Sequence, residues 1–220
     1  MTRLRRLVPG ALAALAVAPI ARAAPLPAAD IAAHCANAED QAHCGRLVEA
    51  KQMRRLPKIA ERDGDELRVW LEPVGSTVFR DRVDIIGAKS YALWDYLEKL
   101  DTVVLFATDG DRTTFLLVQR RGGDEYRVPS EPVLAPDGRH FVTADFCAQN
   151  CENEVAIWRI GPREVRKEIT WAPGAPWSDV SVAWKGADTI ALEYSLPTEA
   201  HARTLERGLG DPSWKRAPGK

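Results

Sequence analysis

From Glu66 onward the chain is a succession of short runs rich in β-branched and aromatic residues, and the turn dipeptides between them limit the folds open to it. ELRVWLEP (66–73), TVFRDRVDII (77–86), DTVVLFAT (101–108), TFLLVQR (114–120), RHFVTADF (139–146), EVAIWRI (154–160), EVRKEITW (164–171), SDVSVAW (178–184) and TIALEYS (189–195) all have strand composition. Asp109-Gly110, Gly122-Gly123, Asp137-Gly138 and Gly161-Pro162 punctuate them. Links of this length join antiparallel neighbours, whereas parallel strands need crossovers of about a dozen residues or more. The expected fold is mainly β, an antiparallel meander over residues 61–197.

The first residues predict a different fate. Arg3, Arg5 and Arg6 precede an apolar run from Leu7 to Ile20, which ends in the small-x-small pattern Ala21-Arg22-Ala23. This is the pattern of a secretory signal peptide over residues 1–23. No later run is long and apolar enough for a membrane span, so no integral membrane segment is expected once the leader is removed. The leader takes four of the 30 Lys and Arg and none of the 31 Asp and Glu, leaving an acidic chain. That balance argues against a nucleic-acid partner, and the expected location is periplasmic or secreted.

Four cysteines in an exported chain predict disulfides. Local spacing favours Cys35 with Cys44 and Cys147 with Cys151. Nine steps of about 100° put Cys35 and Cys44 on opposite faces of one helix. Their pairing therefore requires a break near Ala36 to Asp40, with a second helix from Gln41 to Arg55. The repeated pairs His34-Cys35 and His43-Cys44 also have zinc-ligand types. Adjacent His and Cys point apart and the compartment oxidises thiols, so a disulfide-stapled helical segment over residues 24–60 is expected, with no metal or cofactor.

Within the β region, DTVVLFAT, DGDR, TFLLVQR, GGD and EYRVP can be laid over RHFVTADF, CAQNCEN, EVAIWRI, GPR and EVRKEITW at an offset of about 40 residues. A third copy begins at PWSDVSVAWKGADTIALEYS. With the Pro136-Asp137-Gly138 turn ahead of an alternating strand, residues 90–197 resemble blades of a β-propeller of the WD-repeat or Tol-system kind. The Trp-Asp dipeptide, Trp94-Asp95, does not fall where WD blades close. A closed ring of four blades needs roughly 160 to 180 residues. Glu66 to Pro197 supplies 132, so the resemblance implies a partial, propeller-like stack or a β-sandwich. Thr198 reads as the N-cap of a short helix over TEAHARTLERGLG, with a flexible tail to residue 220.

The catalytic motifs are few. His140, near Asp137 and Asp145, has the residue types of a held general base, but His140 and Asp145 face opposite sides of a strand. Asp63-Gly64-Asp65 and Asp109-Gly110-Asp111 lack the further oxygens a calcium loop needs and read as turns. Asp95, Glu98, Asp137 and Asp145 form a hydrolase site only if folding gathers them. Trp171 and Trp177, joined by APGAP, read as aromatics on a projecting loop that could contact a ligand or partner. The leading reading is a non-enzymatic binding module for a protein or cell-envelope ligand, with an inhibitor or immunity protein and an acid-pair hydrolase as alternatives.

Overall fold

The structure, a computed structural model, describes residues 26–84, 87–199 and 201–217. The expected leader at residues 1–23 lies outside them. Helix α1 (Ala28–Cys35) ends where the break was expected, and α2 (Gln41–Arg55) begins once the Asp40 side chain accepts from the His43 N–H. Such a cap satisfies an N–H that the helix itself leaves orphaned. The Cys35–Cys44 disulfide closes the turn between the helices, and Cys147–Cys151 closes a second loop in the β region.

Among the described residues the strands form four antiparallel sheets. The first comprises β1 (Ala60–Asp63), β2 (Glu66–Trp70) and β3 (Ser76–Arg80). The second runs in chain order through β4 (Arg82–Asp84), β5 (Gly87–Leu97), β6 (Thr102–Asp109), β7 (Arg112–Gln119) and β8 (Glu125–Val128). The third holds β9 (Val133–Leu134), β10 (His140–Asp145), β11 (Glu154–Gly161) and β12 (Glu164–Trp171). The fourth is β13 (Ser178–Trp184), β14 (Thr189–Ser195) and β15 (Arg203–Gly208), after which β16 (Lys215–Arg216) returns to pair with β12. The two segments aligned in sequence as repeats fold alike: β6, β7 and β8 form one meander, and β10, β11 and β12 form another.

Three apolar cores join the sheets in chain order. Leu67, Val69 and Phe79 of the first sheet meet Leu93, Val103, Leu105, Leu116 and Val118 of the second. The other face of the second sheet, with Val104, Phe106, Phe115 and Leu117, packs on Phe141 and Ile160 of the third. Val142, Val155 and Ile157 then meet Trp177, Ile190 and Leu192 at the fourth. Because successive strand residues point to opposite faces, Val103 and Leu105 serve one core while Val104 and Phe106 serve the next. This is why β6 is buried from Thr102 through Thr108. The result is an open stack of four sheets without a closed barrel.

Helix α2 lies against the second sheet, and Gly45 permits the close approach. A Cβ there would come within 2.9 Å of the Phe106 ring and 3.2 Å of Ala92. Buried Gln52 donates to the Trp94 carbonyl at 2.6 Å, where β5 bulges between Leu93 and Asp95.

Three segments differ from the sequence reading. Residues 87–97, whose Leu93, Trp94 and Leu97 suggest a packing stripe, form the longest of the described strands. The described residues between 198 and 210 form no helix: Arg203–Gly208 is strand β15, paired along β14. The tail, where it is described to residue 217, is not free either, since β16 pairs with β12 and Trp214 donates Nε1–H to the Gly208 carbonyl at 2.9 Å. No helix among the described residues is long and apolar enough to cross a membrane.

Candidate functional site

Between the second and third sheets lies a groove of about 1140 Å³, bounded by β8 on one side and by β12 and β16 on the other. The lining residues show what faces it. Glu125, Tyr126 and Arg127 are consecutive, as are Glu164 through Ile169. Side chains of a strand alternate between faces, so an unbroken run can line a groove only where the strand presents its backbone edge.

Both edges are open. The strand β8 is the terminal strand of its sheet. The outer edge of β12 is covered only near its end, by Ile169 with Arg216, Thr170 with Lys215, and the Ala217 N–H donating to the Glu168 carbonyl. On that outer edge Glu164 to Lys167 have no strand beside them among the described residues, while β11 pairs with them on the inner one. Tyr126, Trp158 and Val165 rest on the core between the two sheets. The Tyr126 hydroxyl donates to the Arg163 carbonyl at 2.8 Å, tying the two walls together.

Charge is unevenly committed along this groove. Arg166 pairs with Glu164 at 3.3 Å and Glu168 at 2.9 Å. Lys167 pairs with Glu152 at 2.5 Å and Glu154 at 2.7 Å, and its ammonium lies 5.1 Å from the Trp158 ring centroid. Burial alone lowers a lysine's pKa, but the two carboxylates hold that of Lys167 above its ordinary value. Arg127 donates to the Thr114 hydroxyl at 2.6 Å. Neither Arg127 nor Arg216 joins an ion pair among the described residues, and neither does Glu125, so the uncommitted charges of the groove are two guanidiniums and one carboxylate.

The residues singled out from sequence sit elsewhere. Trp177 is 9% exposed, stacked 3.7 Å from Tyr194 and 5.6 Å from Phe146, so it does not project from a loop. The APGAP segment instead turns the indole back over the core between the third and fourth sheets. Trp171 is half-buried beside it at 5.3 Å, with the Arg207 guanidinium 4.0 Å over its ring. Packing against a neighbouring sheet claims both indoles. Cys35, Cys44, Cys147 and Cys151 are all in disulfides, which leaves none to ligate zinc beside His34 and His43. Among the described residues no group of three or more His, Cys, Asp or Glu could hold a metal ion.

Asp95, Glu98, Asp137 and Asp145 do not line the groove, nor a second cleft lined by Glu72, Asp101 and Arg120. Asp145 accepts from the Glu152 N–H at 2.8 Å, and Glu98 lies in a turn of 3-10 helix, Glu98–Leu100. Asp137 accepts from the Arg139 and His140 N–H groups and lies 2.5 Å from His140 Nδ1, while His140 Nε2 stands 3.4 Å from Glu168. Burial opposes ionisation of Asp137, but these donors hold its carboxyl below the usual range. His140 is thus held between two carboxylates, one of which lines the groove. Glu168 was not anticipated, because only the pairing of β10, β11 and β12 brings it there.

Asp95 is the acid most changed by folding. Desolvation beside α2 pushes its carboxyl up to about 6, Arg55 partly offsets this, and Glu131 adds to it. Burial also raises Glu131, which accepts from the Trp94 indole N–H at 2.8 Å. Between pH 3.8 and about 6 the folded chain therefore holds a proton on Asp95 that the unfolded chain has released. Stability from this group falls as pH rises through that window and is level above it. Asp95→Asn is expected to raise unfolding free energy at pH 7 by on the order of 2 kcal/mol and to flatten its decline across the window. Urea titrations at several pH values check this, and an unchanged slope in the variant would assign the dependence to other groups.

No protein-family model matches this chain, and no curated protein matches its sequence.

Proposed function

We propose that this chain is an exported binding module that takes an extended, acid-rich segment of a partner protein into the groove between β8 and β12. The observation that carries the reading is the pair of open strand edges facing one cleft over an aromatic floor. An open edge is a row of unused N–H and C=O groups, and an added strand supplies their partners while alternate side chains read the floor and rim. Arg127 and Arg216, paired with no acid among the described residues, are placed to meet acidic residues in that strand. The leader pattern at residues 1–23 and the two disulfides support export, to the periplasm or beyond the cell. The order of the sheets supports reading the stack as an open, partial β-propeller.

Fluorescence polarisation tests this with labelled peptides of about eight residues, alternating valine with glutamate or valine with lysine. The glutamate peptide is expected to bind at least about tenfold more tightly than the lysine peptide. Charge reversal by Arg127→Glu with Arg216→Glu is expected to abolish that preference without unfolding the protein. Equal binding of both peptides, or a preference that survives the double substitution, contradicts the proposal.

A further inference from the structure

A second cleft, of about 820 Å³, opens where turns from the first three sheets meet. Its wall carries two carboxylates, Glu72 and Asp101, and one buried arginine bonds to both. Arg120, 7% exposed, donates Nη1 to Asp101 at 2.8 Å, Nη2 to Glu72 at 2.9 Å, and Nε to the Trp70 carbonyl at 2.6 Å. The Tyr96 hydroxyl adds a second donor to Asp101 Oδ1 at 2.8 Å.

Two more guanidinium groups line the same cleft, Arg121 and Arg163, which sets three arginines against two acids. Arg121 is exposed and makes a loose ion pair, Nε to Asp101 Oδ2 at 4.0 Å. Arg163 joins no ion pair among the described residues. With Arg120 bonded to both acids, the cleft keeps one net positive charge, presented by the exposed forks of Arg121 and Arg163 beside an apolar lip of Leu71, Pro73 and Val74, the last 88% exposed. A planar fork matches carboxylate and phosphate oxygens two at a time. An apolar lip beside two such forks fits a ligand whose charged head is joined to a hydrocarbon body, and the volume is that of a small-molecule site.

We infer that this cleft is a binding site for an amphiphilic anion, a carboxylate or phosphate monoester on an apolar chain, held by Arg121 and Arg163. The site is independent of the groove between β8 and β12, and neither proposal needs the other.

Isothermal titration of the full mature chain with octanoate, octyl phosphate and uncharged octyl glucoside tests it. At least one octyl anion is expected to bind with a Kd below about 1 mM, and the glucoside about tenfold more weakly or not at all. Which anion binds identifies the head group. Arg121→Gln with Arg163→Gln, both at exposed side chains, is expected to weaken the anion by at least about tenfold. Arg127→Glu in the groove is expected to leave it unchanged. Absence of binding by both anions, equal binding of the glucoside, or binding unaffected by the double substitution overturns the inference.

Discussion

Glu49→Leu is expected to destabilise the protein by about 3 to 5 kcal/mol, because it removes one partner of a buried ion network and leaves the other behind. Glu49 is 4% exposed on α2. Its carboxylate accepts from Arg62 Nε at 2.9 Å and Nη2 at 2.8 Å, from Arg46 Nη1 at 3.1 Å, and from the Leu93 N–H at 2.9 Å. Asp81 closes the network: it pairs with Arg46, stands 3.6 Å from Arg62 Nη1, and accepts from the Tyr91 N–H at 2.9 Å. These groups come from α2, β1, the segment after β3, and β5, so one carboxylate fixes the helix to two sheets. Leucine fills the volume but leaves the mostly buried Arg62 with the Tyr91 carbonyl and a single distant acid, Asp81. Arg46 already feels that environment, since burial and Arg62 lower its pKa more than Glu49 raises it. Urea denaturation should show a lower midpoint at unchanged slope. A loss below about 1 kcal/mol would mean that water reaches Arg62 in the folded state.

Phe141→Ala is expected to cost a similar 3 to 5 kcal/mol, the range for deleting a fully buried ring. Phe141 is 0% exposed and sits where the second and third sheets meet. Its ring is 5.8 Å from that of Trp158 and nearly parallel to it at 5°. Trp158 forms part of the groove floor, held additionally by its indole N–H on the Thr143 hydroxyl at 2.8 Å. The substitution therefore carries a second expectation: the folded fraction of the variant should bind the glutamate peptide more weakly, because the floor has lost its support. Ile190→Ala, in the core between the third and fourth sheets, is the control. It should lower stability and leave peptide affinity intact.

The parts of this fold that could be read from sequence are those where one local rule acts alone. Strands β12, β13 and β14 coincide with their expected ranges because β-branched residues alternate between a packed and a free face. The α1–α2 hairpin was legible because disulfide reach and helical period conflict between Cys35 and Cys44. Strand β5 was obscured by its own bulge, which sets Leu93 and Trp94 in succession and breaks the alternation. Strand β15 was misread because Thr-Leu-Glu-Arg favours a helix locally, while six cross-strand pairs with β14 decide otherwise. Trp171 and Trp177 stand out in sequence as aromatics, and the fourth sheet covers them. The groove has no sequence signature, since it arises from two strands 39 residues apart at Glu125 and Glu164 whose edges meet only after the sheets stack. The arginine cleft gathers three separate turns and is hidden for the same reason.

The most direct measurement of whether open strand edges are the binding surface is amide hydrogen exchange with and without the glutamate peptide. Strand addition predicts slowed exchange across residues 125–128 and 164–167, with the outer strands of the first and fourth sheets unchanged. Protection confined to the Trp171–Trp177 loop or to an outer sheet face, or no change along β8 and β12 while the peptide is bound, would contradict it.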